Sequence, residues 1–151
     1  MTSRLAVVFF SALMAAASSS AWADAGDIAY GVDLGFGYPL SARGGASLRL
    51  GISDAAALRL GGGFAGGYAG PSGYGQVGLV VAADYLRWVP EAYFAVGARY
   101  DGLRADEEIS FGIGARRYFS RRLSLGPTLG ARIVGGSWSA ILGVSVLWDS
   151  D

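Results

Sequence analysis

Arginines and carboxylates recur on one side of strand-like segments in this chain, and they are nearly all the chemistry it carries. Reading each segment residue by residue puts Asp33, Arg49, Arg59, Asp84, Arg99, Asp101, Arg116 and Arg132 on a face otherwise built of small residues. A hydroxyl nucleophile needs a base near neutral pH. The sequence has no histidine, no cysteine and no lysine, since all twelve basic residues are arginine. Ser–His, Ser–Lys and thiolate mechanisms therefore have no members here, and neither does a lysine-bearing phosphate loop. Matches such as Gly112-Ile113-Gly114 read as strand glycines rather than dinucleotide motifs. No catalytic residue, no metal cluster and no cofactor site is expected.

What remains is ion pairing. Arg49 and Arg59 flank the turn Ser53-Asp54-Ala55, which places them opposite each other across a hairpin. Two like charges side by side and buried are costly. The flanking segments offer Asp33 and Asp84 at similar depth. The expectation is a belt Asp33–Arg49–Arg59–Asp84, with Arg99, Asp101 and Arg132 as a second cluster nearer the other end and Arg116 on the same face.

The elements that must position these residues follow from a strict alternation. In "IAYGVDLGFGY", Ile28, Tyr30, Val32, Leu34, Phe36 and Tyr38 alternate with Ala29, Gly31, Asp33, Gly35 and Gly37. Successive strand side chains point to opposite faces, so this is a strand with one apolar face. The pattern repeats over eight segments, roughly 27–39, 44–53, 56–66, 74–86, 92–101, 108–119, 123–134 and 137–148. A water-soluble barrel would line its core with the Ile/Val/Leu set and show charge outside. Here the charges share a face with much of the chain's complement of 25 glycines. Glycine weakens a strand unless something needs the space, and an eight-stranded barrel has an interior only wide enough for side chains. The fold class is thus all-β: an eight-stranded antiparallel up-and-down transmembrane β-barrel with lipid outside and a Gly/Arg/Asp lumen. A soluble periplasmic ligand-binding barrel is the competing architecture.

Aromatic residues fall near the segment ends: Tyr30, Tyr38, Tyr74, Tyr85, Tyr100, Phe119, Trp138 and Trp148. They are read as two interfacial girdles. Connections three and five, "AGGYAGPSGYG" and "DGLRADEE", read as longer than connections two, four and six, which predicts short periplasmic turns and longer outer loops. Arg4, the apolar run 5–17 and the small-x-small pattern Ala21-Trp22-Ala23 form a cleavable signal peptide. The expected division is signal peptide 1–23 and barrel 24–151. The formal net charge of zero gives no pull toward nucleic acid.

On these features the mature chain resembles the small eight-stranded outer-membrane barrels of Gram-negative bacteria, the OmpA/OmpX-like group. The most specific element is Gly143-x-x-Val146-x-Trp148, which looks like the C-terminal signal read by the barrel assembly machinery; here "DSD" follows the aromatic residue, which is usually terminal in the family. The turn "RYFSRRLSLG" is similar to periplasmic turns of these families, and the expectation is a barrel without the peptidoglycan-binding domain of full-length OmpA proteins. The resemblance implies an outer-membrane location with both termini in the periplasm. Its other implications are contact with outer-membrane lipid and lipopolysaccharide, a monomeric state and a structural, envelope-integrity role without enzymatic activity. A narrow passive pore and a surface interaction module through residues 66–75 and 101–108 are the alternative roles.

Overall fold

The computed structural model describes residues 26–67, 70–83, 88–120 and 122–150. The signal-peptide reading, with Ala21 and Ala23, falls outside them, as do Asp84 and Tyr85. Eight strands follow one another: β1 (Ile28–Tyr38), β2 (Ser41–Ser53), β3 (Ala56–Gly67), β4 (Ser72–Ala82), β5 (Trp88–Tyr100), β6 (Ala105–Tyr118), β7 (Leu123–Val134) and β8 (Ser137–Asp149). Each pairs antiparallel with its neighbours, and β8 closes on β1 to complete a barrel.

The register fixes the barrel's shape. From Ile28, the cross-strand partners run Leu50, Leu58, Leu79, Phe94, Phe111, Ala131 and Ala140. The circuit re-enters β1 at Tyr38, ten residues beyond its start. A stagger of that size in eight strands requires them to tilt by roughly 40° from the axis. Tilted strands of 11 to 14 residues span about 25–35 Å, comparable to the apolar thickness of a bilayer.

Alternation decides what faces where. Phe36, Leu129, Leu142 and Ile113 point outward and are more than half exposed. The buried interior instead holds Arg49, Arg59, Glu91, Glu108, Arg116 and Arg132, with serines and alanines between them. The protein is inside-out relative to a water-soluble barrel. Toward the rim where β1 begins and β8 ends (the termini rim), the inward positions become small and apolar: Ala57, Val80, Val89 and Leu147 are almost fully buried.

The loops depart from the sequence expectation. Connections three and five are only the residues between Gly67 and Ser72 and between Tyr100 and Ala105. The ladders simply continue through the polar and glycine-rich stretches, pairing Ala65 with Ser72 and Arg99 with Asp106. At the other rim, five residues separate the described strand ends Ala82 and Trp88, against four in each of these two connections. The spacing of the described strand ends therefore does not distinguish the two rims. The β7–β8 turn is the two-residue pair Gly135-Gly136 with φ of 53° and 83°, the left-handed geometry that suits a tight hairpin and favours glycine.

The charged lumen as candidate functional site

The hairpin geometry read from the sequence holds: Arg49 and Arg59 are direct cross-strand partners. Their neutralisation differs from the expected belt. Arg59 donates to Asp33 at 2.7 Å. Arg49 turns instead to Glu91, donating from Nη1 at 2.8 Å and from Nη2 at 3.4 Å. Glu91 is shared, because Arg116 Nη2 donates to its other oxygen at 2.9 Å. Arg116 also reaches Ser145 Oγ at 3.1 Å and Ser124 Oγ at 3.4 Å. The lumen is thus bridged from β2 to β5 to β6 by one carboxylate between two guanidiniums, all three buried.

Glu91 was missed because the segment "RWVPE" reads as a turn. A proline in a run argues against a strand interior, since it cannot donate to a ladder. In the structure β5 begins at Trp88 and Pro90 is tolerated within it. Extending the alternation back from Ala95 through Tyr93 would have put Glu91 on the lumen side. Arg43 and Glu108 were missed for a related reason: both lie near strand ends that read as loops. They form a further ion pair at 3.3 Å.

The second cluster also changes membership. Asp101 is exposed, outside the strands, and its Oδ1 accepts hydrogen bonds from the backbone N–H groups of Leu103 at 2.9 Å and Arg104 at 2.8 Å. These donors hold its carboxyl below the usual aspartate range. It organises the loop and is not a lumen group. Arg99 does lie on the inner face and donates to Ser72 Oγ at 2.7 Å. Arg132 is buried beside Glu108, Arg43 and Arg99.

Tyr74 is a correction to the aromatic set. It shares parity with Gln76, so it points inward and is 9% exposed. Its ring lies under the Arg43 guanidinium, 4.2 Å from centroid to Cζ. Tyr93 also points in, 5.8 Å from Arg59. These two tyrosines explain part of the glycine content. A Cβ at Gly45 would collide with the Tyr74 hydroxyl, and one at Gly130 would collide with that of Tyr93. The space cleared by glycine is filled by aromatic rings reaching across the lumen.

The remaining described members of that set lie on the outer face. Tyr30, Phe119 and Trp148 sit toward the termini rim, and Tyr38, Tyr100 and Trp138 toward the opposite rim; all are exposed. Trp88 and Phe64 join them, one at each end. Arg117 packs near Trp88 and Phe119, 5.9 Å and 5.6 Å from their ring centroids. Gly143, Val146 and Trp148 lie on the closing strand, paired with Gly35, Val32 and Tyr30. Gly143 points inward, where a Cβ would come within 2.7 Å of Thr128 Oγ1 and 2.9 Å of the Leu34 carbonyl oxygen.

Between the ion pairs lies a cavity of about 40 Å³, lined by Asp33, Arg43, Arg59, Gln76, Glu91 and Tyr93 among others. It has room for a few waters. Among the described residues, no three carboxylates gather in a way that could hold a metal ion. The arrangement ties strands together across the barrel through buried ion pairs.

No protein-family model matches the sequence, and no curated protein matches it. Solved structures do resemble it. The N-terminal β-barrel domain of Pseudomonas aeruginosa OprF superposes with a TM-score of 0.72 at 12% identity, covering 82% of this chain and 97% of that one. A barrel from the de novo design of transmembrane β-barrels gives 0.61 at 14% identity, covering 83% and 96%. At such identities the likeness is one of architecture alone, and this chain's closed eight-stranded antiparallel barrel is similar to both.

Proposed function

We propose that this protein is a non-enzymatic integral outer-membrane barrel with a structural role in the envelope, its lumen closed by the Arg/Glu/Asp network. The observation that carries this reading is the inverted distribution of side chains. Large apolar residues cover the outside while charged pairs fill the inside. A soluble ligand-binding barrel requires the reverse. The exposed aromatics near both rims would sit at headgroup level. β1 begins and β8 ends at one rim, which the outer-membrane reading would put in the periplasm. Gly143, Val146 and Trp148 then act as the signal for assembly, and the barrel works as a monomer in lipid and lipopolysaccharide.

The test is membrane fractionation of the expressed protein, followed by electrophoresis with and without boiling. The expected result is extraction only by detergent and a mobility shift on heating. Extraction by salt or carbonate alone would refute the reading. The polar cavity favours one second role, a narrow pore opened by rearrangement of the ion pairs, and that role requires discrete conductance in planar bilayers.

A further inference from the structure

Near the rim opposite the termini, the lumen holds more positive charge than its own carboxylates neutralise. Arg43 and Arg132 lie two residues inside the ends of β2 and β7, and Arg99 one residue inside the end of β5. Glu108 is the buried carboxylate among them. Its Oε1 accepts from Arg43, and its Oε2 has no partner. Arg99 donates to an uncharged hydroxyl, that of Ser72. Arg132 is 5% exposed, and among the described residues it makes no hydrogen bond and no ion pair; its Nε is buried without an acceptor. Three more carboxylates stand nearby, of which Glu107 is exposed on the outer face of β6. Asp106 is opposite Arg99 in the register but exposed, its carboxyl group beside Gly135 in the turn. Asp101 is committed to the backbone of its own loop.

A buried guanidinium without a counter-charge is strongly disfavoured. One carboxylate cannot neutralise three arginines in any rotamer, so re-pairing Arg132 with Glu108 would only transfer the deficit to Arg43. We infer that this rim is a binding site for a phosphate-class oxyanion, held by Arg132, Arg99 and Arg43. Three guanidiniums against Glu108 leave two positive charges while Asp106 stays beside Gly135, and one if it turns to Arg99, a deficit that a phosphate-class anion fills. Guanidinium forks match the spacing of phosphate oxygens and bind them in pairs, whereas a halide would use one donor from each. The same chemistry is available from free phosphate or from a lipid headgroup folding over the rim.

The experiment uses the full barrel refolded in an uncharged maltoside detergent, at a pH where phosphate is the dianion. Inorganic phosphate is titrated against chloride at matched ionic strength, with binding followed by calorimetry and by the unfolding midpoint. A parallel arm dopes the micelles with phosphatidic acid or with uncharged diacylglycerol. The expected result is a phosphate-specific rise in midpoint, with affinity about tenfold weaker in Arg132→Gln and in Arg99→Gln, the loss of one charge-assisted contact. Arg132→Met should raise the midpoint in the absence of phosphate and abolish its response. If Arg132 variants fail to fold, Arg99→Gln decides alone, because Arg99 is only partly buried. A response to phosphatidic acid without one to inorganic phosphate supports the site and names the headgroup as its source. Equal effects of phosphate and chloride with no response to phosphatidic acid, or wild-type affinity in the glutamine variants, would overturn the inference.

Discussion

At Glu91, one carboxylate carries two buried arginines, and this makes it the most consequential charged residue in the lumen. Removing it leaves Arg49 and Arg116 unpaired, and breaking a buried pair typically costs about 3–5 kcal/mol. Removing Arg49 leaves Glu91 still bonded to Arg116. Glu91→Ala should therefore lower stability more than Arg49→Ala, and the double variant should recover part of the Glu91→Ala loss. Urea unfolding in lipid vesicles measures all three. Asp33 has no direct contact with Arg49, so the coupling of Arg49 to Asp33 should be smaller than its coupling to Glu91 in a parallel cycle. Outside the membrane span, Asp101 gives a pH prediction. Its carboxyl titrates lower folded than unfolded because two backbone N–H groups favour the charged form. Its contribution to loop order is thus complete above about 3.9, the ordinary aspartate value, and is lost as pH falls through the depressed folded value. Carboxyl chemical shifts for Asp101 should move at lower pH in the folded barrel than in the urea-unfolded chain, and Asp101→Asn should weaken amide protection at Leu103 and Arg104.

Among the strands, β4 separates what the sequence made legible from what it hid. Alternation alone identified its faces, because Val77, Leu79 and Val81 are large and apolar while Gln76 is polar and Gly78 small. Its end was not legible: the apolar run continues, but the described strand stops at Ala82, so its midpoint is Val77 rather than a residue near 80. The same blindness affected β2, β5 and β6. Their ladders extend into polar stretches beyond the apolar band, and periodicity in hydrophobicity fades where backbone pairing does not. Arg43 and Glu91 lie in those extensions, and Glu108 sits at the boundary of one. Tyr74 was a failure of another kind, an aromatic assigned by its nearness to a strand end when its parity with Gln76 pointed inward. The corrected β4 makes a sharp prediction. Val77→Arg should cost about 2–4 kcal/mol, the penalty of an arginine on the lipid face at mid-depth. Gly75→Ser, on the same face with nothing within 4 Å of a Cβ, should be nearly neutral. Gly78→Ala points into the lumen, where its Cβ would be 2.5 Å from that of Ala95. It should cost about 1–3 kcal/mol through overpacking, despite being the smallest of the three changes. Reversible folding in lipid vesicles ranks them. A tolerated Val77→Arg would mean the outer face does not meet lipid.

For the molecule as a whole, a closed barrel has no free edge, so its stability and its assembly depend on one seam. That seam joins β8 to β1, with Trp148 opposite Tyr30, Val146 opposite Val32 and Gly143 opposite Gly35. The pairing is the longest-range contact in the chain, made between its two ends, and contacts of that kind are slow to find and leave strand edges exposed until they form. A cell that recognises the last strand before closure removes that hazard. The sequence resemblance assigns this role to Gly143, Val146 and Trp148, and the fold supplies the reason such a role is needed at this position. In the finished barrel Trp148 is 46% exposed on the outer face, so its truncation removes little packing. Trp148→Ala should therefore leave refolding into detergent micelles and the unfolding midpoint close to wild type. The yield of heat-modifiable protein in the outer-membrane fraction should fall severalfold. Tyr38→Ala, an equally outward aromatic at the opposite rim, serves as the control and should show no such split. Equal losses in cells and in micelles would reduce Trp148 to an interfacial anchor. A split shared by Tyr38→Ala would place the recognition in the aromatic rims rather than in the closing strand.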